Sequence, residues 1–270
     1  MKQFKDKIAY IVGGSSGIGL AVAEQFAHMG AHLVIFARDL ERLSQAALKI
    51  SEQRRSNDQQ VGWLQLDVSV AADVETKMAM AVKRFGVPDI LINSAGRSYP
   101  HRFSDISYAQ LDETMKINFY GIWNTTSALV PLMQAKGGHI VNVSSMAGFV
   151  GVYGFTDYCA SKFAIIGFSE ALRSEFKPMG IKVSVLCPPD TDTPGFEIEN
   201  RTKPEETKAI SAKAKLLQPQ AVADALIKGL QKNKPIIIPG FDGKFTFWAK
   251  RYFPWLVEFI MDRTIRKIQK

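Results

Sequence analysis

Short runs that are apolar on both faces alternate along this chain with longer stretches of helical spacing, and this alternation restricts the fold most. The strand candidates are Lys7–Val12, His32–Ala37, Gly62–Leu66, Asp89–Asn93, His139–Ser144, Ile181–Cys187 and Pro235–Ile238. Helix candidates fall between them at Gly17–Met29, Asp39–Glu52, Val70–Phe85, Tyr108–Gln134, Asp157–Lys177 and Gln220–Gln231. A strand with no polar face must be covered on both sides, and strands joined through helices run parallel. Right-handed crossovers then give an α/β fold, a Rossmann-like doubly wound parallel sheet of about seven strands with helices on both faces.

Two segments break the alternation. Asp190 to Leu217 is polar, opens on Thr191-Asp192-Thr193-Pro194-Gly195 and delays the next helix, as a lid after strand six would. Phe245 to Met261 is aromatic and apolar, but Lys250, Arg251 and Pro254 interrupt it, so it is too broken to span a bilayer.

Charge decides which partners are admissible. With 34 basic and 26 acidic residues the chain carries a net +8, which admits nucleic acid, a membrane surface or an anionic cofactor. Nucleic acid is disfavoured by the lack of zinc-finger spacing, of an RNP-like aromatic strand and of a long basic helix. Residues 244–270 hold seven of the basic residues against two acidic ones. Two cysteines, Cys159 and Cys187, make neither a disulfide framework nor a cysteine-based zinc site, and no metal site is expected. A reduced, cytoplasmic setting follows from that cysteine usage. No signal peptide is expected, because Met1 to Lys7 is polar and the first apolar run is needed as a strand.

The first strand runs into Gly13-Gly14-Ser15-Ser16-Gly17-Ile18-Gly19, and a helix follows. Glycines there let the backbone turn sharply and approach a pyrophosphate, which the helix N-terminus stabilises. The spacing alone also suits an ordinary glycine-rich turn. Strand two ends Phe36-Ala37-Arg38, with a small residue where an NAD site carries an acid and a cation just after it. Arginine pairs bidentately with a 2′-phosphate, so NADPH is the expected cofactor.

Tyr158 and Lys162 are four residues apart on a helix candidate and so share a face. A free tyrosine titrates near pH 10, too high for efficient acid/base work, and an adjacent ammonium would lower that value. Such a pair also arises by chance. Ser145, at the end of strand five, could hold a substrate carbonyl, with Ser144 its local competitor. Asn118, inside a helix candidate, suits a retained water linking Lys162 to solvent or a merely buried amide.

Together these residues resemble the short-chain dehydrogenase/reductase superfamily, from the glycine loop to about Gly240. The superfamily's T-G-x-x-x-G-x-G is similar to Val12-Gly13 through Gly17-Ile18-Gly19, its N-N-A-G to Asn93-Ser94-Ala95-Gly96, and its Y-x-x-x-K to Tyr158 through Lys162. The resemblance implies a catalytic set of Asn118, Ser145, Tyr158 and Lys162, and an adenine-contacting pair Asp67-Val68. It implies that Tyr158 protonates the developing alkoxide, Ser145 orients the carbonyl, Lys162 tunes Tyr158 and binds ribose, and Asn118 supports a proton relay. Further cofactor contacts are expected from Ser15, Ser16, Asn93, Ala95, Gly96, Pro188, Thr191 and Thr193. Val12 departs from the usual threonine, and Pro189 from the usual glycine after strand six.

The stretch Pro188 to Phe196, with Glu199-Asn200-Arg201-Thr202-Lys203-Pro204, resembles the 3-ketodihydrosphingosine reductases, as does Gly148 to Lys162 with Tyr153-Gly154-Phe155-Thr156. This implies NADPH-dependent reduction of a long-chain amino-ketone, 3-ketosphinganine. Reduction of another apolar ketone is the alternative, and a non-catalytic NADP(H)-binding sensor is the alternative of a different class. Asp190, Asp192, Glu197 and Glu199 place four acids in the lid, where they attract the substrate ammonium or only cap short helices. Asp190, Asp192 and Phe196 are the substrate candidates. The expected organisation is a dinucleotide-binding and catalytic domain at 1–243, including the lid, and a C-terminal aromatic and basic extension at 244–270. That extension either contacts an anionic membrane peripherally or closes the pocket or a subunit interface. Without the N-terminal hydrophobic anchor of eukaryotic relatives, a soluble or peripheral form is implied, and the superfamily implies a homo-oligomer.

Overall fold

The computed structural model describes residues 4–212 and 214–269. Its strands are β1 (Ile8–Val12), β2 (His32–Ala37), β3 (Val61–Gln65), β4 (Ile90–Asn93), β5 (Gly138–Val143), β6 (Ile181–Leu186) and β7 (Ile236–Ile237). The helices are α1 (Gly17–His28), α2 (Leu40–Glu52), α3 (Ala71–Phe85), α4 (Tyr108–Met115), α5 (Gly121–Met133), α6 (Thr156–Phe176), α7 (Pro194–Thr202), α8 (Glu205–Ser211), α9 (Pro219–Gln231), α10 (Phe241–Tyr252) and α11 (Pro254–Ile268).

The strands form one parallel sheet in the order β3-β2-β1-β4-β5-β6-β7, the doubly wound topology that the alternation requires. Successive side chains leave a strand on opposite faces, so each strand feeds two cores. Ala9, Ile11, Leu33 and Ile35 pack with Val22 and Phe26 of α1, Leu43 of α2 and Leu226 of α9. Their neighbours Tyr10, Val12, Val34 and Phe36 pack on the other face with Val74 and Met78 of α3, Leu129 of α5 and Leu172 of α6. The strand order reverses direction between β1 and β4, which opens a crevice at their carboxyl ends.

Two regions differ from the sequence expectation, whereas the C-terminal stretch is helical as expected and interrupted at Pro254. The helix over 108–134 is interrupted by one π turn, Lys116–Tyr120, between α4 and α5. The stretch at 190–217 holds two helices of its own. Thr193 caps α7, accepting a hydrogen bond from Phe196 N at 3.1 Å, with Pro194 in the first turn where a missing N–H costs nothing. Glu205 and Glu206 stand in the first turn of α8, where carboxylates suit a helix N-terminus. Pro254 splits the C-terminal stretch into α10 and α11, and α11 packs on both α10 and α8. Among the described residues, no helix is long and apolar enough to cross a membrane.

Candidate active site

One cleft of about 970 Å³ runs along the carboxyl end of the sheet, from the β1–α1 loop past α6 to the lid and α10–α11. At one end the chain turns so tightly that side chains are excluded. Gly13 has φ +82°, and a Cβ on it would lie 2.6 Å from Ala95 N. A Cβ on Gly19 would run into the Gly13 carbonyl, so α1 packs directly beneath the loop. The loop is tied down by Gly13 N donating to Phe36 O at 2.8 Å and Ser94 N donating to Val12 O at 2.8 Å. Ser15, Ser16, Gly17 and Ile18 line the cleft where α1 begins, and no acidic residue occupies that first turn. Backbone N–H groups free of side-chain cover and of negative charge suit a pyrophosphate. The cradle therefore fits a dinucleotide.

Ala37, Arg38, Leu66 and Val68 line the far end. Asp39 also lies there, but its carboxylate is turned to its own helix, accepting from Arg42 N at 3.0 Å and pairing with Arg42 Nε at 3.4 Å. Arg42 was not legible as a site residue. Its only signal is a position four residues after Arg38, at the start of α2. The Asp67 carboxylate closes a turn, accepting from Ser69 N at 2.9 Å and Ser69 Oγ at 2.6 Å, and it is Val68 beside it that lines the cleft.

Ala95 and Gly96 line the middle, where a Cβ on Gly96 would approach Asn118 Oδ1 and Lys162 Nζ at 3.4 and 3.5 Å. Asn93 is buried behind them. It donates to Asn142 Oδ1 at 2.9 Å and accepts from Thr125 Oγ1 at 2.8 Å, joining β4 to β5 and α5. Asn118 sits in the π turn with its amide satisfied within the protein. It accepts from Arg97 N at 2.8 Å and donates to Arg97 O and Ser161 Oγ, each at 3.0 Å. A π turn re-aims one side chain off the helical register, and here it turns Asn118 onto the backbone beside Gly96.

Ser145, Tyr158 and Lys162 meet at the centre of the cleft. Ser145 follows β5 and accepts from Ala147 N at 3.1 Å. Its neighbour Ser144 donates to Lys162 O at 2.8 Å and is buried, which leaves Ser145 as the hydroxyl facing Tyr158. Lys162 donates to Val143 O at 3.1 Å, with Nζ 5.4 Å from the centroid of the Tyr158 ring.

The electrostatics differ from the simple expectation for this pair. Burial, then the charge of Glu199, push the Tyr158 hydroxyl up; the Ser145 hydrogen bond pulls it down. Burial lowers Lys162 to about 8. In the chain by itself Lys162 therefore does not bring Tyr158 toward neutrality, because desolvation dominates both groups. Tyr158 is held as the phenol, the form that donates a proton.

The lid contributes Pro188, Asp190, Thr191, Thr193, Phe196 and Glu199 to the lining. Asp192 points elsewhere, accepting from Gln218 Nε2 at 3.0 Å. Two backbone bonds pin the lid to the entry of α9, Asp192 N to Leu217 O at 2.8 Å and Leu217 N to Asp190 O at 3.0 Å. Phe245, Ala249, Leu256 and Ile260 of α10 and α11 form an apolar wall beyond it.

A nucleotide cradle at the switch point of a doubly wound sheet, beside half-buried Ser145 and Tyr158 and buried Lys162, defines a dinucleotide-dependent oxidoreductase fold. The chain belongs to the short chain dehydrogenase family, which it matches over residues 7–204. Among curated relatives it is 40% identical over 222 residues to a 3-dehydrosphinganine reductase of Danio rerio, covering 81% of this chain and 66% of that protein. The chain thus spans just under two thirds of that relative's length. A short chain dehydrogenase/reductase from Burkholderia phymatum, in complex with NAD, superposes with a TM-score of 0.82 at 25% identity, covering 95% of this chain and 96% of that one. An alcohol dehydrogenase from the archaeon Thermococcus sibiricus, complexed with 5-hydroxy-NADP, gives 0.74 at 26% identity, covering 87% and 96%.

Proposed function

We propose that this protein reduces the 3-ketone of a long-chain amino-ketone, 3-ketosphinganine, to sphinganine with NADPH. The observation that carries the reading is a single continuous cleft. It joins the glycine cradle with Arg38 and Arg42, the Ser145-Tyr158-Lys162 centre, and an apolar wall long enough to continue past the lid. The names of curated relatives support the substrate.

When bound, NADPH supplies the hydride that the carbonyl carbon accepts. The protein does the rest. Ser145 donates a hydrogen bond to the carbonyl oxygen and fixes its approach to Tyr158. Tyr158, held as the phenol by its surroundings, gives its proton to the developing alkoxide. Lys162 then faces the phenolate with its ammonium and offsets the charge left on the ring oxygen. Asn118, by bracing Arg97 and Ser161, keeps the segment after Gly96 in place beside Lys162 and supports the path by which Tyr158 regains its proton. Phe245, Leu256 and Ile260 of α10 and α11 exclude water from the alkyl chain.

Arg38 and Arg42 offer two guanidinium groups for a 2′-phosphate. Replacing both with alanine is expected to raise the KM for NADPH by roughly 10- to 100-fold while that for NADH changes little. The substrate reading is tested by following NADPH oxidation with 3-ketosphinganine beside a panel of steroid, retinoid and acyl-chain ketones. Equal or better turnover of a panel ketone would replace it with the broader apolar-ketone reading.

Delivery of such a substrate comes from a bilayer, and the outer face of α10 and α11 suits that. Trp248, Tyr252, Phe253, Trp255 and Phe259 are exposed there, next to Lys250 and Arg251. Aromatic rings at the headgroup level with cations beside them favour anionic lipid. Flotation with vesicles containing anionic lipid is expected to carry the protein, and Trp248→Ser/Trp255→Ser/Phe259→Ser to leave it at the bottom. Trp123 and Phe163, exposed on the helices flanking the site, support a homo-oligomer.

A further inference from the structure

The lid holds a charge arrangement that reduction of a plain ketone does not need. Of the four acids between Asp190 and Glu199, Asp192 and Glu197 face solvent. Glu199, on α7, is turned inward onto the same cleft as Tyr158, with a side chain only 13% exposed. Its partner is Lys203, one turn further on and 1% exposed, whose Nζ lies 2.8 Å from Glu199 Oε1 and 4.1 Å from the centroid of the Phe196 ring. Asp190 lines the same stretch and adds a weaker negative charge.

A buried carboxylate beside the acid group opposes catalysis unless something offsets it. Glu199 exerts the largest charge effect on the Tyr158 hydroxyl, in the direction that disfavours the phenolate left by proton transfer. Its own carboxyl is pushed up by burial and pulled down by Lys203, so a further cation at that place would be favourable. In an α-amino ketone, the nitrogen is carried by the carbon next to the reacting carbonyl. A carboxylate meant for that nitrogen has to lie within electrostatic reach of the group that protonates the carbonyl oxygen. Glu199 meets this condition, whereas Asp192 and Glu197 do not.

We propose that Glu199 is the specificity-determining carboxylate that receives the substrate ammonium, with Lys203 holding its position in the free protein. The inference rests on the amino-ketone reading above and names the residue that would enforce it. Binding of the ammonium neutralises Glu199 at the moment Tyr158 gives up its proton, so the amine is both recognised and used. A ketone of the same shape without the amine brings no second cation to Glu199, whose effect on Tyr158 Lys203 offsets only in part, and reacts more slowly.

The test compares kcat/KM for 3-ketosphinganine and for the same chain lacking the amino group, in wild type, Glu199→Gln and Glu199→Gln/Lys203→Met. The wild-type protein is expected to prefer the amine by roughly 10- to 100-fold, the range for a hydrogen bond to a charged group. Both variants should lose that preference, through a fall on the amine and little change, or a gain, on the neutral ketone. The double variant removes both buried charges, so it remains informative if the single one, with Lys203 left unpaired, does not fold. A preference that survives in the variants, proportional losses on both substrates, or a wild type indifferent to the amine would each overturn the role of Glu199 alone. Failure of the wild type to reduce 3-ketosphinganine, with turnover of a panel ketone, would instead overturn the substrate reading and this inference with it.

Discussion

Tyr158→Phe is expected to lower the rate of ketone reduction by roughly 10²- to 10⁴-fold, the range for loss of a positioned general acid. The change removes one oxygen and keeps the ring. The ring packs against Phe155, with centroids 5.5 Å apart, and fits among Val152, Ala147 and Cys159. Dissociation of NADPH, followed by its fluorescence, should therefore move little, and so should the melting temperature. This separation of turnover from binding is the informative part. Burial and Glu199 both favour the phenol over the phenolate, so Tyr158 enters the reaction carrying its proton, and the charge left on the ring oxygen has to be offset as the proton leaves. Reduction that persists in Tyr158→Phe would show that another group supplies the proton. An unchanged protein with no measurable turnover in wild type would favour a nucleotide-binding sensor.

Gly13→Ala is expected to be the most damaging small substitution in the cofactor cradle. The backbone there has φ +82°, where a side chain is strained, and the new Cβ would stand 2.6 Å from Ala95 N and 2.8 Å from Ala95 Cα. Those neighbours are backbone of the segment after β4 and cannot step aside. Strain and overpacking together correspond to a loss of about 2–4 kcal/mol of stability. The same displacement moves the N–H groups that face the pyrophosphate, so NADPH affinity should fall roughly 100-fold or more in any protein that folds. Gly151→Ala is the matched control, since nothing lies within 4 Å of the added carbon and its φ is not in the left-handed region. Denaturation curves and NADPH titrations of the two variants check both claims. A Gly13→Ala protein as stable and as tight-binding as Gly151→Ala would remove the steric argument for the cradle.

How much of this was legible beforehand depends on whether a property is carried along an element or between elements. The two-faced strands were read correctly because a strand covered on both sides is a short continuous apolar run, visible within the element itself. Gly13, Gly17 and Gly19 announced a tight approach, since only glycine tolerates it. Tyr158 and Lys162 announced a shared face through helical spacing alone. The split of residues 108–134 by a π turn was not read from the sequence, because a five-residue turn inside a helix is too short to show a period of its own. The helices α7 and α8 were hidden for the opposite reason: short and polar, they are held by Thr193, Pro194 and packing rather than by an amphipathic pattern.

The site divides in the same way. Sequence by itself determined the parallel, doubly wound class of the sheet, the glycine turn at the end of β1, and which hydroxyl and amine could share a helix face. It could not choose among Asp190, Asp192, Glu197 and Glu199, nor see that Asp39 and Asp67 bond to their own local backbone while Arg42 reaches the cleft. Nor could it show that Tyr158 is held as the phenol although Lys162 is near. Those outcomes belong to the tertiary structure, because burial and charge are set by groups far apart in the chain. Desolvation at the floor of the cleft acts on Tyr158 and Lys162 together, and the carboxylate that most affects Tyr158 arrives from α7, beyond strand six.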